Sequence, residues 1–550
     1  MRHDNVSRRG GKGSAGQTRG NALWGGGKGT LPATLTVLLL VVLALGAGRV
    51  QASDGSKVDA YLSPGLLDQA QAAPDALFDV IVQAGPGRKT KDVADAVSQV
   101  QSDAHGAGSA LKRTFVSIAG TSATLTGKQI LRLAKQSDIE SITPDAATGA
   151  TYSNSQTWVG ASRILQSATN PWDTSSFTYP TVAVVDSGVQ PRTDFGKRLK
   201  TQVSFVSTGT NSSGDGFGHG TMVAGIAAGS GVGYAGVVPR ATIVSLDVLN
   251  DLGVGRESDA VAACDWILAN KDAYNIRVAN FSINAGLGAS ILYDPLDRAV
   301  EKLWLNGVVV VASAGNYAVD GAAGGVLFAP ANDPFVITVG ASDVNSTTDT
   351  FDDFAAPWSS WGYTYDGFLK PEISAPGRRI TAPVPPTSTL TQLFPSRKVS
   401  RDYMWMSGTS FATPIVAGAA AWFLAAHPSW TPDQVKGALM LAADVPNGYA
   451  APGALGVGVL DGCGTSGTGS LPNPNAGLNR FVTTDPATGL LVFDSASWAS
   501  AAAADASWNS ASWSSASWSS ASWSSASWSS ASWSSASWSS ASWASYLGVE

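Results

Sequence analysis

The sequence predicts an α/β fold: a parallel sheet layered with helices, a small α+β module ahead of it and a low-complexity tail behind it. Three observations predict this. Continuous apolar runs such as "TVAVVDSG" (181–188) and "GVVVVASAG" (307–315) alternate with helical stretches such as "ESDAVAACDWILANK" (257–271). Strands that are apolar on both faces and separated by helices belong to a parallel sheet covered on both sides. Upstream, residues 77–145 carry the order β-α-β-β-α-β of a split βαβ module. Downstream, a five-residue Ser/Ala/Trp unit recurs from residue 506 and matches no ordinary core pattern. The expected organisation is a signal peptide over 1–52, a module over 53–149, the α/β domain over 150–466, a linker over 467–494 and a repeat tail over 495–550.

The 550 residues suffice for several domains. The formal net charge of −6 gives no reason to expect a nucleic-acid partner. Only 14% of residues are charged while Gly, Ser and Ala abound, which fits a loop-rich exported protein. At the N-terminus Arg2, Arg8, Arg9, Lys12, Arg19 and Lys28 precede an apolar run at 31–48, then small side chains at Val50 and Ala52. This reads as a signal peptide cut after Ala52, with extracellular or cell-surface destination. A single membrane anchor is the alternative, although the run is short for a bilayer. Arg8 and Arg9 lack the following apolar residues of a twin-arginine signal. No later segment reads as apolar and long enough to span. Cys264 and Cys463 are the two cysteines, either one disulfide or two buried thiols.

Within the module, "LFDVIVQAG" (77–85) alternates as a strand. Val93, Val97 and Val100 sit at helical spacing in "TKDVADAVSQVQSDA" (90–104). "LKRTFVSIAGTSATLTG" (111–127) reads as two strands around Gly120. "KQILRLAKQSD" (128–138) is a second amphipathic helix, and "IESITPDA" a last short strand.

In the α/β domain three short motifs carry chemistry. "VAVVDSGV" (182–189) ends an apolar strand on Asp186, where open α/β sheets place functional residues. "GFGHGTMVAGIAAG" (216–229) sets His219 among glycines at the start of a small-residue helix. "MSGTSFATPIVAG" (406–418) puts Ser410 at a helix N-terminus, where free N–H groups and the positive dipole end can meet developing negative charge. Taken singly, each has an ordinary reading: a strand-end Asp, a loop His, a capping Ser. A serine hydroxyl is a poor nucleophile near neutral pH and needs an adjacent base, for which imidazole is suited. The base needs an acid partner to fix its tautomer. Asp186, His219 and Ser410 together supply all three. His427, before a proline at a helix end, reads as structural.

With these motifs in the order Asp, His, Ser, residues 151–464 resemble the subtilisin-like serine proteases, the subtilase family; the handling of that order in subtilisin is a standard worked case. "VASAGN" (311–316), "VANFSINAG" (278–286) and "KPEISAPG" (370–377) are similar to further family landmarks. The resemblance implies a three-layer subtilisin-like domain and a serine endopeptidase acting through an acyl-enzyme. It implies Asp186, His219 and Ser410 as the catalytic triad and Asn316 as the oxyanion donor, with the Ser410 N–H beside it. The module then looks like the family's inhibitory propeptide, making the chain a self-processing precursor. Substrate would add as a strand between "SINAG" and "NDLGVG", with Ser282, Ile283, Asn284, Gly253, Ala314 and Gly315 contacting it. Gly286, Ala314 and Gly315 read as an open, mainly apolar pocket. Met222, Phe411 and Ile415 depart from common family residues without removing a catalytic group. "SINA" in place of the usual Ser-Leu-Gly-Gly alters the primary pocket. Pro414 is expected in the first turn of its helix, where the missing N–H costs little. The chemistry requires no cofactor. Family members often bind structural calcium, and no compact acidic loop places one here.

Protein or peptide substrates and the chain's own propeptide are the expected partners. A repeat of five fits neither helix nor strand. A Ser-rich spacer with exposed rings, a β-solenoid and a surface- or polymer-binding tail all stay open. The rival function is a catalytically silent subtilase-fold surface protein whose Trp-repeat tail binds the partner.

Overall fold

The computed structural model describes residues 60–63, 65–85, 87–103, 108–150, 174–345, 352–446, 453–460 and 471–504. The expected signal peptide, Cys463 and the repeats from 506 onward lie outside the described residues.

The N-terminal module follows its hydrophobic pattern. Strands β1 (Tyr61–Leu62), β2 (Leu77–Ala84), β3 (Ala110–Thr114), β4 (Gly120–Thr126) and β5 (Ile139–Pro144) form one sheet in the order β1-β5-β2-β4-β3. Helices α1 (Leu66–Ala72), α2 (Thr90–Asp103) and α3 (Gly127–Leu133) accompany it. Val93, Val97 and Val100 are fully or almost fully buried with Val80, Val82, Leu125, Ile130 and Leu133 in a core of the module's own. Thr126 starts α3 with a reciprocal capping box to Gln129. The short β1 and α1 lie before the predicted pattern. So does a further strand after it, β6 (Ala147–Ala150), which pairs outside the module.

The main sheet is set by β-branched runs. Strand β7 (Thr181–Asp186) is buried at every residue. So is β13 (Val309–Ser313), named here in chain order after β8 (Leu199–Ser204), β9 (Ile243–Asp247), β10 (Val254–Arg256), β11 (Ile276–Phe281) and β12 (Ile283–Ala285). With β14 (Ile337–Asp343), β15 (Phe354–Ala355), β16 (Ile373–Pro376), β17 (Ala443–Asp444) and β18 (Val459–Leu460), the sheet order is β17-β18-β16-β14-β13-β11-β7-β9-β8. The pairs from β18 through β8 are parallel; β17 and the side strand β15 pair antiparallel. The helices are α4 (His219–Ala228), α5 (Glu257–Tyr274), α6 (Pro295–Leu305), α7 (Thr409–Ala426) and α8 (Pro432–Leu441). Asp294 caps α6 by accepting from Leu296 N at 2.9 Å and Asp297 N at 3.0 Å, with Pro295 in the first turn.

Two expectations are corrected here, and one of two open alternatives is described in part. By length and composition α7 is apolar enough to cross a membrane, contrary to the reading that no later segment is; it is a mostly buried core helix, its apolar surface taken up by the sheet and α4. Cys264 is a buried free thiol, and Cys463 lies outside the described residues. Residues 471–494 are not an open linker. A 3-10 turn (Leu478–Phe481) leads into a hairpin, β19 (Val482–Thr484) and β20 (Leu491–Phe493), and α9 (Ser495–Ala504) follows. Trp498 shares the register of the repeats, yet it is 3% exposed and stacks on Phe368 with ring centroids 5.2 Å apart. The preceding Phe493 meets Phe335 edge-on at 5.0 Å, so the first Ser/Ala turns are helical because a ring anchors them to the core.

A buried charge network fixes the same segment. The ammonium of Lys436 on α8 donates to Glu372 Oε1 at 2.9 Å, to the carbonyls of Pro334, Phe335 and Val336, and to Asn475 Oδ1 at 3.2 Å. Lys370 donates to the same Glu372 oxygen at 2.7 Å. Burial pushes Lys436 down to about 8.

Candidate active site

Asp186 closes β7 at the C-terminal edge of the sheet, and His219 opens α4 beside it. The His219 Nδ1 and Asp186 Oδ1 atoms are 2.8 Å apart, with both side chains fully buried. The same Asp186 oxygen accepts the Ser187 N–H at 2.8 Å. Asp215, four residues before the histidine, ties the two loops together. Its carboxylate accepts Ser187 Oγ at 2.9 Å and Gly218 N at 2.6 Å through one oxygen, then Thr221 N at 2.8 Å and Thr221 Oγ1 at 2.5 Å through the other. Burial pushes Asp215 up to about 7, with the Asp186 charge adding to the rise. Asp215 lies outside the three motifs, and its sequence signal is a carboxylate four residues ahead of the motif histidine.

Ser410 is the second residue of α7. Its hydroxyl donates to the Ser282 carbonyl at 3.0 Å, and Ser282 Oγ donates back to the Ser410 carbonyl at 2.9 Å. The reciprocal bond corrects the expectation for Pro414, which lies inside α7 rather than in its first turn. Proline removes the N–H that would bond to the carbonyl four residues earlier, that of Ser410. The Ser282 hydroxyl fills the vacancy. Ser282 thus supports the first turns of α7.

Asn316 follows β13. Its side-chain oxygen accepts the Thr409 N–H at 3.0 Å, which fixes the amide plane. Its Nδ2 is buried and meets no acceptor among the described residues. Gly315 N donates to Thr409 Oγ1 at 3.1 Å, holding the 313–316 segment against the start of α7. Ala314 N bonds to the Val339 carbonyl at 3.0 Å and its side chain is buried. An amide donor held beside the start of the Ser410 helix can receive charge developing on a carbonyl oxygen.

The strand-binding residues enclose β6. It lies antiparallel between β10 and β12, with Gly149 opposite both Val254 and Asn284, and Ala150 opposite Ile283. Ala150 N donates to the Gly253 carbonyl at 3.3 Å, and Gly286 N donates to the Ala147 carbonyl at 2.5 Å. Gly253 has φ +75°, and a Cβ there would meet the Phe217 ring at 2.5 Å, so only glycine fits. The chain's own segment therefore fills the gap between β10 and β12.

The module that delivers β6 docks through polar contacts on α5 and α6. Asp145 accepts Ser258 N at 3.0 Å and Ser258 Oγ at 2.8 Å, capping α5 from outside its own sequence. Burial raises its carboxyl above the usual range. Asp265 accepts the N–H groups of Val116 and Ser117 at 2.9 and 2.5 Å. Arg113 pairs with Asp259 at 2.9 Å, Arg256 with Asp79 at 2.9 Å and Arg298 with Glu140 at 2.8 Å. Tyr61 stacks on Tyr293 with centroids 3.8 Å apart. Among the described residues no three His, Cys, Asp or Glu side chains gather to hold a metal ion.

The subtilase family model matches residues 178–480. The chain is 39% identical over 286 residues to the serine protease AprX of Bacillus subtilis (strain 168), covering 49% of this chain and 64% of that protein. It is 34% identical over 314 residues to the alkaline serine protease ver112 of Corniculantispora psalliotae, covering 55% and 71%. It is 35% identical over 258 residues to subtilisin E of Bacillus subtilis (strain 168), covering 46% and 58%. It thus spans less than two thirds of AprX and of subtilisin E.

Proposed function

The chain belongs to the subtilase family of serine proteases, and from that premise we propose that it is an exported, self-processing serine endopeptidase. Asn316 carries the reading: its oxygen is tied to Thr409 N and its buried amide nitrogen points to no acceptor, beside a serine at a helix start. In the proposed cycle His219 takes the Ser410 hydroxyl proton as the oxygen attacks the substrate carbonyl carbon. Asp186 holds the Nδ1 proton and stabilises the imidazolium. The tetrahedral oxyanion receives hydrogen bonds from Asn316 Nδ2 and the Ser410 N–H. The C–N bond then breaks as His219 protonates the leaving amine, giving an acyl-enzyme. Water, deprotonated by His219, releases the acid.

The N-terminal module serves as inhibitory propeptide and β6 as its product-like end. The β6–β12 register supports this. Counting one residue past the Ile283–Ala150 pair reaches Ser282, whose carbonyl accepts the Ser410 hydroxyl. The bond expected to be cut in maturation is therefore Thr151–Tyr152. Substrate peptides would take the same place by strand addition, so backbone pairing supplies affinity and pockets supply selection. The Trp repeats beyond residue 504 are assigned to retention on an insoluble partner. Ending the chain after Ala504 and comparing binding to insoluble polysaccharide tests that role.

A serine-directed fluorophosphonate probe should label the mature enzyme once, at Ser410, and abolish casein hydrolysis. Ser410→Ala should leave the precursor uncut. Absence of labelling would favour the silent surface protein instead, and a mature N-terminus at Ser53 would refute the maturation scheme.

A further inference from the structure

We propose that Asn284 determines specificity by closing the primary side-chain slot, so that the residue before the scissile bond must be small. The inference rests on the endopeptidase reading above. The slot is defined by two walls that flank the nucleophile. One is β12, which continues from Ser282, the acceptor of the Ser410 hydroxyl. The other is the 313–315 segment, whose Gly315 N–H is held by Thr409 Oγ1 at 3.1 Å. The residue that presents its carbonyl to Ser410 puts its side chain between these walls.

Asn284 bridges them. Its Nδ2 donates to the Ser313 carbonyl on the opposite wall at 3.2 Å. Its Oδ1 is buried and accepts from no described residue, and the residue is 3% exposed. This oxygen lies 3.4 Å from where a Cβ on Gly315 would sit, and the Tyr317 ring lies 2.6 Å from that same point. The carboxamide thus crosses the gap that the apolar reading of Gly286, Ala314 and Gly315 left open, and the Tyr317 ring borders it at Gly315.

Two consequences follow from the chemistry. A large apolar side chain would have to break the Asn284–Ser313 bond and bury an unpaired amide, which is costly. A serine or threonine hydroxyl could instead donate to the waiting Oδ1. The segment paired with β12 is made of small residues, Thr148, Gly149 and Ala150, and the sequence continues with Thr151.

The test uses the matured full chain and succinyl-Ala-Ala-Pro-Xaa p-nitroanilides with Xaa as Ala, Thr, Leu and Phe. Fluorophosphonate labelling counts active sites in every preparation. In the wild type, kcat/KM for Ala and Thr should exceed that for Leu and Phe by about tenfold or more. In Asn284→Gly the Phe/Ala ratio of kcat/KM should rise by about tenfold or more, with Asn284→Ala between. A wild type that prefers Phe, or a ratio that moves in neither variant, overturns the inference while labelling still upholds the endopeptidase reading. Loss of labelling in the wild type would sink that reading itself.

Discussion

Replacing Trp498 with alanine tests whether the C-terminal segment is part of the enzyme's body. The indole is 3% exposed and stacked on Phe368, with Phe493 6.2 Å away in the same cluster. Truncating a buried Trp to Ala costs about 3–5 kcal/mol. Against a total stability of about 5–15 kcal/mol for a folded domain, that is a large share. At roughly 2–4 °C per kcal/mol for chains of this size class, the melting temperature should fall by about 6–20 °C. Ending the chain after Asn479 should cost at least as much, since it deletes Phe493 as well. Ending it after Ala504 should cost little. The assay is differential scanning fluorimetry at one fixed scan rate, in the Ser410→Ala background to prevent self-digestion. A melting temperature unchanged in Trp498→Ala, or a chain ended after Asn479 that keeps full stability and peptide hydrolysis, would refute the reasoning and restore the linker.

Other perturbations probe the site and its supports. Asp215 holds a proton in the folded state up to about pH 7 that the unfolded chain loses near 4, so this group makes stability fall as pH rises across that window, by up to about 1.4 kcal/mol per unit. Asp215→Asn should flatten that slope in urea titrations between pH 4.5 and 7, and an unaltered slope would count against it. Asp145→Ala removes the acceptor for Ser258 N and Oγ; under the proposed propeptide role, losing bonds of about 1.5–3 kcal/mol should hasten release of activity by about tenfold or more, read as the lag before peptide hydrolysis. Lys436→Met leaves three carbonyls and Asn475 without their common donor and should destabilise by about 3–5 kcal/mol, measured by denaturant midpoint; a change below about 1 kcal/mol would mean Lys370 alone satisfies Glu372.

The sequence alone determined the parallel sheet, because β-branched runs such as 309–313 can be buried on both faces only between helices. It determined the module's helices through their valine spacing, and it singled out Asp186, His219 and Ser410 through residue type and motif. What it could not reach are relations between residues distant along the chain. That Ser282 replaces the hydrogen bond lost at Pro414 spans 128 positions between Ser282 and Ser410. That Asp145 caps a helix beginning over a hundred residues later, and that Asn284 reaches across to the Ser313 carbonyl, depend on which strands adjoin. Trp498 shows the limit most plainly. Its local text is one more Ser/Ala/Trp unit, and only the presence of Phe368 and Phe493 across the fold turns that unit into core. Local pattern fixes the faces and periods of an element; which partner covers a face is decided by packing, and packing is a property of the assembled chain.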